Sequence, residues 1–343
     1  MARLVVSPNF SLRMDLISVA DLWDGRVIVS DGDYIRIRND AASVTDYDGA
    51  FLYDFATDEL VGGDLFEITH FSGLSVAYTI TGLDLDMGRF LDWAEGDLTD
   101  LALANIFAGR DQLTGGSGAD YLEGFGGSDV LDGRGGADDL IGGFGNDTYY
   151  VDNAGDAVIE EVGQGNDRVF TRVSYALTEG SAIEVLSGAS ASAARSLSLT
   201  GNAFANTLVG HDGASRLDGG GGNDRLDGAY GNDWLMGGFG QDQFRFTTQL
   251  NSRRNVDTIA DFNWLDDLIV LENAIFRGLR AGELRDSAFR VGATATDASD
   301  RIIYNKAKGT LSFDADGVGG VGAVRFAKVQ PGLDLRAEDF FVI

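Results

Sequence analysis

The chain has 343 residues and sets 54 acidic side chains against 26 basic ones, a formal charge of −28. That excess repels a phosphate backbone and excludes nucleic acid as a natural partner, while 44% hydrophobic content excludes a disordered polyanion. Cysteine is absent, which excludes disulfides and thiol-based metal or catalytic sites.

The first residues, MARLVVSPNFSLRMDLISVADLWDG, hold a short apolar tract without a sustained hydrophobic region and cleavage site, so no N-terminal signal peptide is expected. No stretch approaches the ~18 apolar residues of a membrane span. Residues 1–106 are not repetitive. RVIVSDGDYIRIR alternates apolar and polar residues on both sides of Asp31-Gly32, which predicts a hairpin, and LFEITHF and LSVAYTIT predict two more strands. Asp86 is placed to cap a helix carrying Phe90, Leu91 and Ala94 and closed by Gly96. Asp97 is placed to cap a second helix with Leu98, Leu101, Ala102 and Ile106 on one face. The expectation is a small β-rich domain followed by short helices that cover the first coil of what comes next.

From 107 to 153 the chain runs on a nine-residue clock. Asp111, Asp120, Asp129, Asp138 and Asp147 keep the interval, and Leu113, Leu122, Leu131, Leu140 and Tyr149 follow two places later. Residues 154–200 are looser, although GQGNDRVF restores one unit around Asp167 and Val169. A second block, 201–246, places Asn206, Ser215, Asp224, Asp233 and Asp242 on the clock, with Leu208, Leu217, Leu226, Leu235 and Phe244 behind them. Residues 247–343 return to mixed sequence: DTIADFNWLDDLIVL reads as strand, acidic turn and strand, and RIIYNKAKGTLSFDADG as a hairpin around Lys308-Gly309.

The clock has a chemical meaning. Glycine takes positive φ without steric cost, so glycines in each unit allow a tight turn that aims carbonyl oxygens outward. The Asp adds a carboxylate to those carbonyls, and such hard oxygen donors select Ca²⁺ over softer metals. The residues after the turn form a short strand whose middle residue points inward. Two units then make one coil of about eighteen residues, and coils must stack to bury their apolar residues. Cations between stacked turns would join the edges of the solenoid.

The unit GGxGxDxUx, with U a large apolar residue, resembles the repeat of the RTX, or hemolysin-type calcium-binding, family. GNDTYYVDNAGDAVIEE and GNAFANTLVG resemble segments found between RTX blocks, and DTIADF, LSFDADGVGG and DFFVI resemble the family's C-terminal cap and secretion region. The resemblance implies a mostly β fold: a parallel β-roll, a right-handed β-solenoid of nonapeptide repeats. A small β-rich or α+β N-terminal domain would precede it, and a β-rich C-terminal cap would follow. It implies several Ca²⁺ ions and an extracellular protein exported by type I secretion machinery through an uncleaved C-terminal signal. Carried over by position, the metal-binding residues are Asp111, Asp120, Asp129, Asp138, Asp147, Asp224, Asp233 and Asp242. With them go the turn glycines Gly118, Gly127, Gly136, Gly145, Gly222, Gly231 and Gly240, and Asp167 is a further candidate. Asn206 and Ser215 depart from the pattern, so sites relying on them are expected to be weak or empty.

Enzyme signatures are missing: neither HExxH nor GxSxG occurs, which argues against a zinc protease or an α/β-hydrolase. His211 lies at a variable turn position where exposure is expected, and His70 on a strand that can face the core. Asp84, Asp86, Asp92 and Glu95 read as helix caps and solvated faces. Asp314, Asp316 and Gly317 in DADG read as one more Ca²⁺ site or as a hairpin turn. The expected role is structural or interactive, with residues 1–106 supplying specificity for an extracellular partner. The alternative is a secreted enzyme whose N-terminal catalytic domain is carried by the repeats.

Overall fold

A computed structural model describes residues 3–6, 14, 26–30, 34–38, 43–53, 60–72, 75–96, 98–189 and 196–343. The chain divides into two compact units, Met1–Asp167 and Arg168–Ile343.

In the first unit, strands Arg26–Ser30, Tyr34–Arg38, Ser43–Tyr53, Leu60–Ser72 and Ser75–Asp86 form an antiparallel meander. The expected hairpin strands pair as read, while its turn at Asp31-Gly32 lies outside the described residues. Strand Arg3–Val6 runs antiparallel to Ser75–Asp86 on one side and parallel to Gln112–Thr114 on the other, with Leu4 opposite both Ile80 and Leu113. It thereby covers the open edge of the first repeat strand, an edge that would otherwise offer unpaired backbone.

Helix Met87–Glu95 begins at Asp86, whose carboxylate accepts from the Arg89 N–H at 2.9 Å, and ends at Gly96. It buries Phe90, Trp93 and Ala94, and the Phe90 ring lies 5.8 Å from that of Tyr47. The second helix differs from expectation. It spans Thr99–Ile106 with Leu98, not Asp97, at its N-cap, and no side chain caps it. Asp97 lies outside the described residues. The buried face is Ala102, Leu103 and Phe107, while Leu98 and Leu101 are exposed. Leu103 and Phe107 stand one helical turn apart, so they and not Leu98 and Leu101 define the inner stripe.

The repeats build two parallel ladders. Gln112–Thr114, Val130–Asp132 and Thr148–Val151 stack with Leu113, Leu131 and Tyr149 in register. Tyr121–Glu123, Asp139–Ile141 and Ala157–Ile159 stack with Leu122, Leu140 and Val158 in register. Every one of these six inner residues is fully buried, because successive strand side chains alternate faces and these point inward. Adjacent rungs are two units apart in sequence, so one coil is two nonapeptides.

The second unit repeats the design. Val169, Leu186, Leu208, Leu226, Phe244, Ile269 and Phe340 follow one another along one ladder. Leu199, Leu217, Leu235 and Ile259 do so along the other. The clock slips between Val169 and Leu208, yet the rungs stay in register because the extra residues fall between strands. The hairpin Ile302–Asn305 with Thr310–Phe313 forms as read, and Gly309 at its turn has φ of +63°. Strand Phe340–Val342 is the last parallel rung, laid against Leu268–Leu271. The fold is mostly β and built as a parallel β-roll. Among the described residues, no helix is long and apolar enough to cross a membrane.

Candidate metal centre

The clocked aspartates form two rows. Coil stacking puts Asp111, Asp129, Asp147 and Asp167 along one edge of the first unit, and Asp120, Asp138 and Asp156 along the other. From Asp129 onward each carboxylate is hydrogen-bonded to the backbone of the coil before it. The N–H of Asp111 donates to Asp129 Oδ1 at 2.7 Å, that of Asp120 to Asp138 Oδ1 at 2.9 Å, that of Asp138 to Asp156 Oδ1 at 3.2 Å, and that of Asp147 to Asp167 Oδ1 at 2.8 Å. The second unit keeps the pattern, with Asp224 Oδ1 taking the Asn206 N–H and Asp233 Oδ1 the Ser215 N–H, both at 2.7 Å. Asp242 Oδ1 takes the Asp224 N–H at 2.9 Å.

One oxygen of each carboxylate is thus used, and the other has a different fate. Oδ2 of Asp129, Asp138, Asp147, Asp224 and Asp233 is buried and has no hydrogen-bond partner. A buried, unmatched carboxylate oxygen costs several times what a hydrogen bond returns. The glycine that opens each unit leaves room beside it: a methyl group at Gly115 would lie 2.5 Å from both Asp120 Oδ2 and the Gly133 carbonyl oxygen. At Gly124 it would lie 2.6 Å from Asp129 Oδ2 and 2.8 Å from the Gly142 carbonyl oxygen. The absent side chain leaves a cradle lined by a carboxylate and a carbonyl, the donor set that suits Ca²⁺.

The turn glycines keep the coils close. Gly127, Gly136, Gly145, Gly222, Gly231 and Gly240 take φ of +140°, +148°, +136°, +98°, +146° and +139°, where L side chains are strained. A side chain at Gly145 would run into the Gly127 carbonyl of the preceding coil. Gly118 alone among the predicted glycines lies outside this region. The residue one coil before it belongs to helix Thr99–Ile106, so no turn lies beneath it.

Electrostatics match an arrangement that lacks positive charge. Burial first, with neighbouring aspartates adding to it, pushes Asp129, Asp138 and Asp224 up to about 7. Burial also raises Asp147 and Asp242 above the ordinary carboxylate range, and burial with the adjacent Asp257 raises Asp233.

Asn206 and Ser215 satisfy themselves differently. Asn206 Oδ1 accepts from the Asn202 N–H at 2.9 Å and its Nδ2 donates to the Ile183 carbonyl at 2.6 Å. Ser215 Oγ lies 2.9 Å from His211 Nδ1. His211 is therefore buried, at 2% exposure, rather than exposed as its turn position suggested. The short serine leaves space that the imidazole fills. His70 is half-buried, 3.1 Å from Thr45 Oγ1 and stacked on Tyr78. In DADG, Asp314 Oδ1 accepts from the Gly317 N–H at 2.9 Å, and Gly317 has φ of +70°, which is the geometry of a turn.

Several ladder members lie beyond the two blocks. Asp156 and Asp167 extend the rows of the first block. Asp257 and Asp267 extend those of the second, accepting from the Asp233 and Asp242 N–H groups at 3.1 and 3.0 Å. Glu160 and Asp261 bind the N–H groups of Gly142-Gly143 and Gly237-Gly238. Asp156 keeps the nine-residue interval after Asp147 and Asp167 was already a candidate, whereas irregular spacing hides Asp257, Asp267, Glu160 and Asp261; the usable signal for these is an acid in the first coil beyond each block.

The family model described as RTX calcium-binding nonapeptide repeat (4 copies) matches residues 107–140, 114–149, 123–156, 200–229 and 209–244. No curated protein matches the chain. Among solved structures, the crystal structure of the extracellular lipase LipA from Serratia marcescens is similar at 19% identity and a TM-score of 0.16. The match covers 68% of this chain and 38% of the lipase chain, a likeness too slight to bear on activity. The repeats within residues 107–244 match the RTX calcium-binding nonapeptide family.

Proposed function

We propose that the chain is a secreted protein whose two repeat blocks fold on binding several Ca²⁺ ions outside the cell. The observation that carries this reading is the set of buried aspartate Oδ2 atoms without hydrogen-bond partners, repeated along both edges beside glycine cradles. Asp111, Asp120, Asp129, Asp138 and Asp147 would hold ions in the first block and Asp224, Asp233 and Asp242 in the second. Asn206 and Ser215 would hold none. The bound ion supplies charge that offsets the carboxylates, while the chain supplies the spacing, the turn carbonyls and the exclusion of water.

Cytosolic Ca²⁺ lies far below the roughly 10⁻⁴–10⁻³ M range of extracellular modules, so the chain would remain unfolded for a type I exporter and fold outside. The role is structural or interactive, with residues 1–106 meeting an extracellular partner. Asp86 serves as a helix cap, as its place in the sequence suggests. The test is circular dichroism of the full chain during a Ca²⁺ titration. A cooperative gain of β signal is expected, and full β signal in excess chelator would overturn the reading.

A further inference from the structure

The first block ends on an arrangement that the nine-residue rule does not write. In the inner coils the cradle beside the opening glycine faces one aspartate Oδ2 and one carbonyl from the next coil, as at Gly115 and Gly124. At Gly142 the cradle faces Asp147 Oδ2 and the hydroxyl of Tyr149 instead. Tyr149 occupies the clock position that holds leucine in the four units before it, and its hydroxyl donates to Glu160 Oε1. The same Glu160 oxygen accepts from the Gly142 and Gly143 N–H groups at 3.1 and 3.3 Å. One coil earlier, the Gly124 N–H donates to the backbone carbonyl of Ile141 at 2.8 Å. A side chain has thus taken over where the backbone of a further regular turn is missing.

Glu160 arrives beside two clock-type acids. Carboxylate oxygens of Asp147, Glu160 and Asp167 all lie within 4.8 Å of one another. The three residues are buried, at 1%, 3% and 1% exposure. Independently of that clustering, Asp147 Oδ2 has no hydrogen-bond partner and borders the Tyr149 hydroxyl that holds Glu160.

We infer that Asp147, Glu160 and Asp167 form a calcium site that closes the first block, with three carboxylates in place of the carboxylate-and-carbonyl cradle of the inner coils. The inference rests on the reading that the repeats bind Ca²⁺, and it adds a ligand from outside the repeat. Hard oxygen donors and no nitrogen or sulfur select Ca²⁺ over transition metals. Affinity in calcium sites rises with ligand charge and site rigidity. Three carboxylates, one of them fixed by a buried phenol and two backbone N–H groups, make this site the first to fill.

The second block ends with the same roles. Asp261 takes the Gly237 and Gly238 N–H groups at 3.0 and 2.8 Å, and Asp267 Oδ1 takes the Asp242 N–H at 3.0 Å. There Phe244 stands in place of Tyr149 and has no hydroxyl to hold Asp261. The second terminal site should therefore be the weaker of the two.

The experiment is Ca²⁺ binding to the full chain by equilibrium dialysis, with circular dichroism at saturating Ca²⁺ as the check on folding. Glu160→Gln keeps an oxygen for the glycine N–H groups, removes the charge and replaces the second oxygen with an amide nitrogen. The expected result is loss of the tightest phase, shifted by about tenfold or more, with β signal at saturating Ca²⁺ and the remaining phases unchanged. A tightest phase identical to wild type overturns the inference. If Glu160→Gln does not fold at saturating Ca²⁺, Tyr149→Phe decides. It frees Glu160 without changing charge, so a weakened tightest phase supports the inference and an unchanged one overturns it. Wild-type chain that binds no Ca²⁺ would instead overturn the calcium reading of the repeats as a whole. Normal binding by the wild type with no effect of either variant would overturn this site alone.

Discussion

The backbone N–H of Asp129 donates to Oδ1 of Asp147 at 2.7 Å, one full coil further along the chain. Asp129 in turn receives the Asp111 N–H. Asp129, Asp138, Asp147, Asp224 and Asp233 therefore do two jobs with two oxygens: Oδ1 fixes the register of the preceding coil, and Oδ2 is left for a cation. The jobs can be separated by mutation. Asp129→Asn keeps an oxygen for the Asp111 N–H and replaces the second oxygen with an amide. The Ca²⁺ midpoint of folding should rise by about tenfold, while β content at saturating Ca²⁺ stays close to wild type. Ser215→Ala should barely move that midpoint, because Ser215 Oγ is engaged with His211. Equal shifts in a dichroism titration would contradict the assignment.

The second prediction is a pH dependence whose sign reverses with Ca²⁺. Asp129, Asp138 and Asp224 titrate near 7 when folded without ions, well above the ~3.9 of an unfolded aspartate. The ion-free fold then binds more protons than the unfolded chain. Its stability is fully present below about 4 and is lost as pH rises through about 7. In chelator, acidification from pH 8 to 5 should increase β signal. With Ca²⁺ present, protons compete for the same oxygens, so the Ca²⁺ midpoint should rise over the same range. Parallel pH series with and without chelator check both signs.

Coil stacking gives a third prediction. Gly145 combines φ of +136° with a close approach to the Gly127 carbonyl, whereas the nearest atom to a methyl at Gly135 is 3.9 Å away. Gly145→Ala should cost roughly 1–3 kcal/mol at saturating Ca²⁺, and Gly135→Ala much less. Thermal melts of the two variants at one Ca²⁺ concentration compare them directly.

Export gives a fourth. Residues 247–343 should direct an unexported, slow-folding reporter out of a cell with a matching exporter, and their deletion should strand the chain inside. Phe340 and Val342 are fully buried in the last rung, so removing Phe340–Ile343 should also weaken folding. Medium and cell fractions report the first effect and melts of purified protein the second. Full export of the deleted chain would contradict the assignment of the signal.

The ladders were legible in the sequence because one physical repeat fixes two things at once. A period of nine puts an apolar residue inward and a carboxylate at the turn in every unit, so Leu131 and Asp129 announce each other. Glu160 and Asp261 were not legible, since each finishes a block only once and follows no interval. The burial of His211 was hidden for a related reason. It depends on the small volume of Ser215, a tertiary effect that no local pattern encodes. In the N-terminal part the hairpin strands were visible from alternation and Asp86 was visible as a cap, whereas strands Arg3–Val6 and Ser43–Tyr53 were not legible. The face of the second helix was not, because eight residues give too few turns for a stripe to declare itself.

The ladder from Asp111 to Asp167 has a direction, since each inner rung donates forward and accepts from behind. That direction makes length an adjustable property. A duplicated stretch of two nonapeptides, such as residues 121–138, would meet the same donor on one side and the same acceptor on the other. A single added nonapeptide would instead send every later strand to the opposite sheet and move Tyr149 away from the edge it serves. Growth of such a molecule is quantised in whole coils, and the closing residues beyond each block set where counting stops.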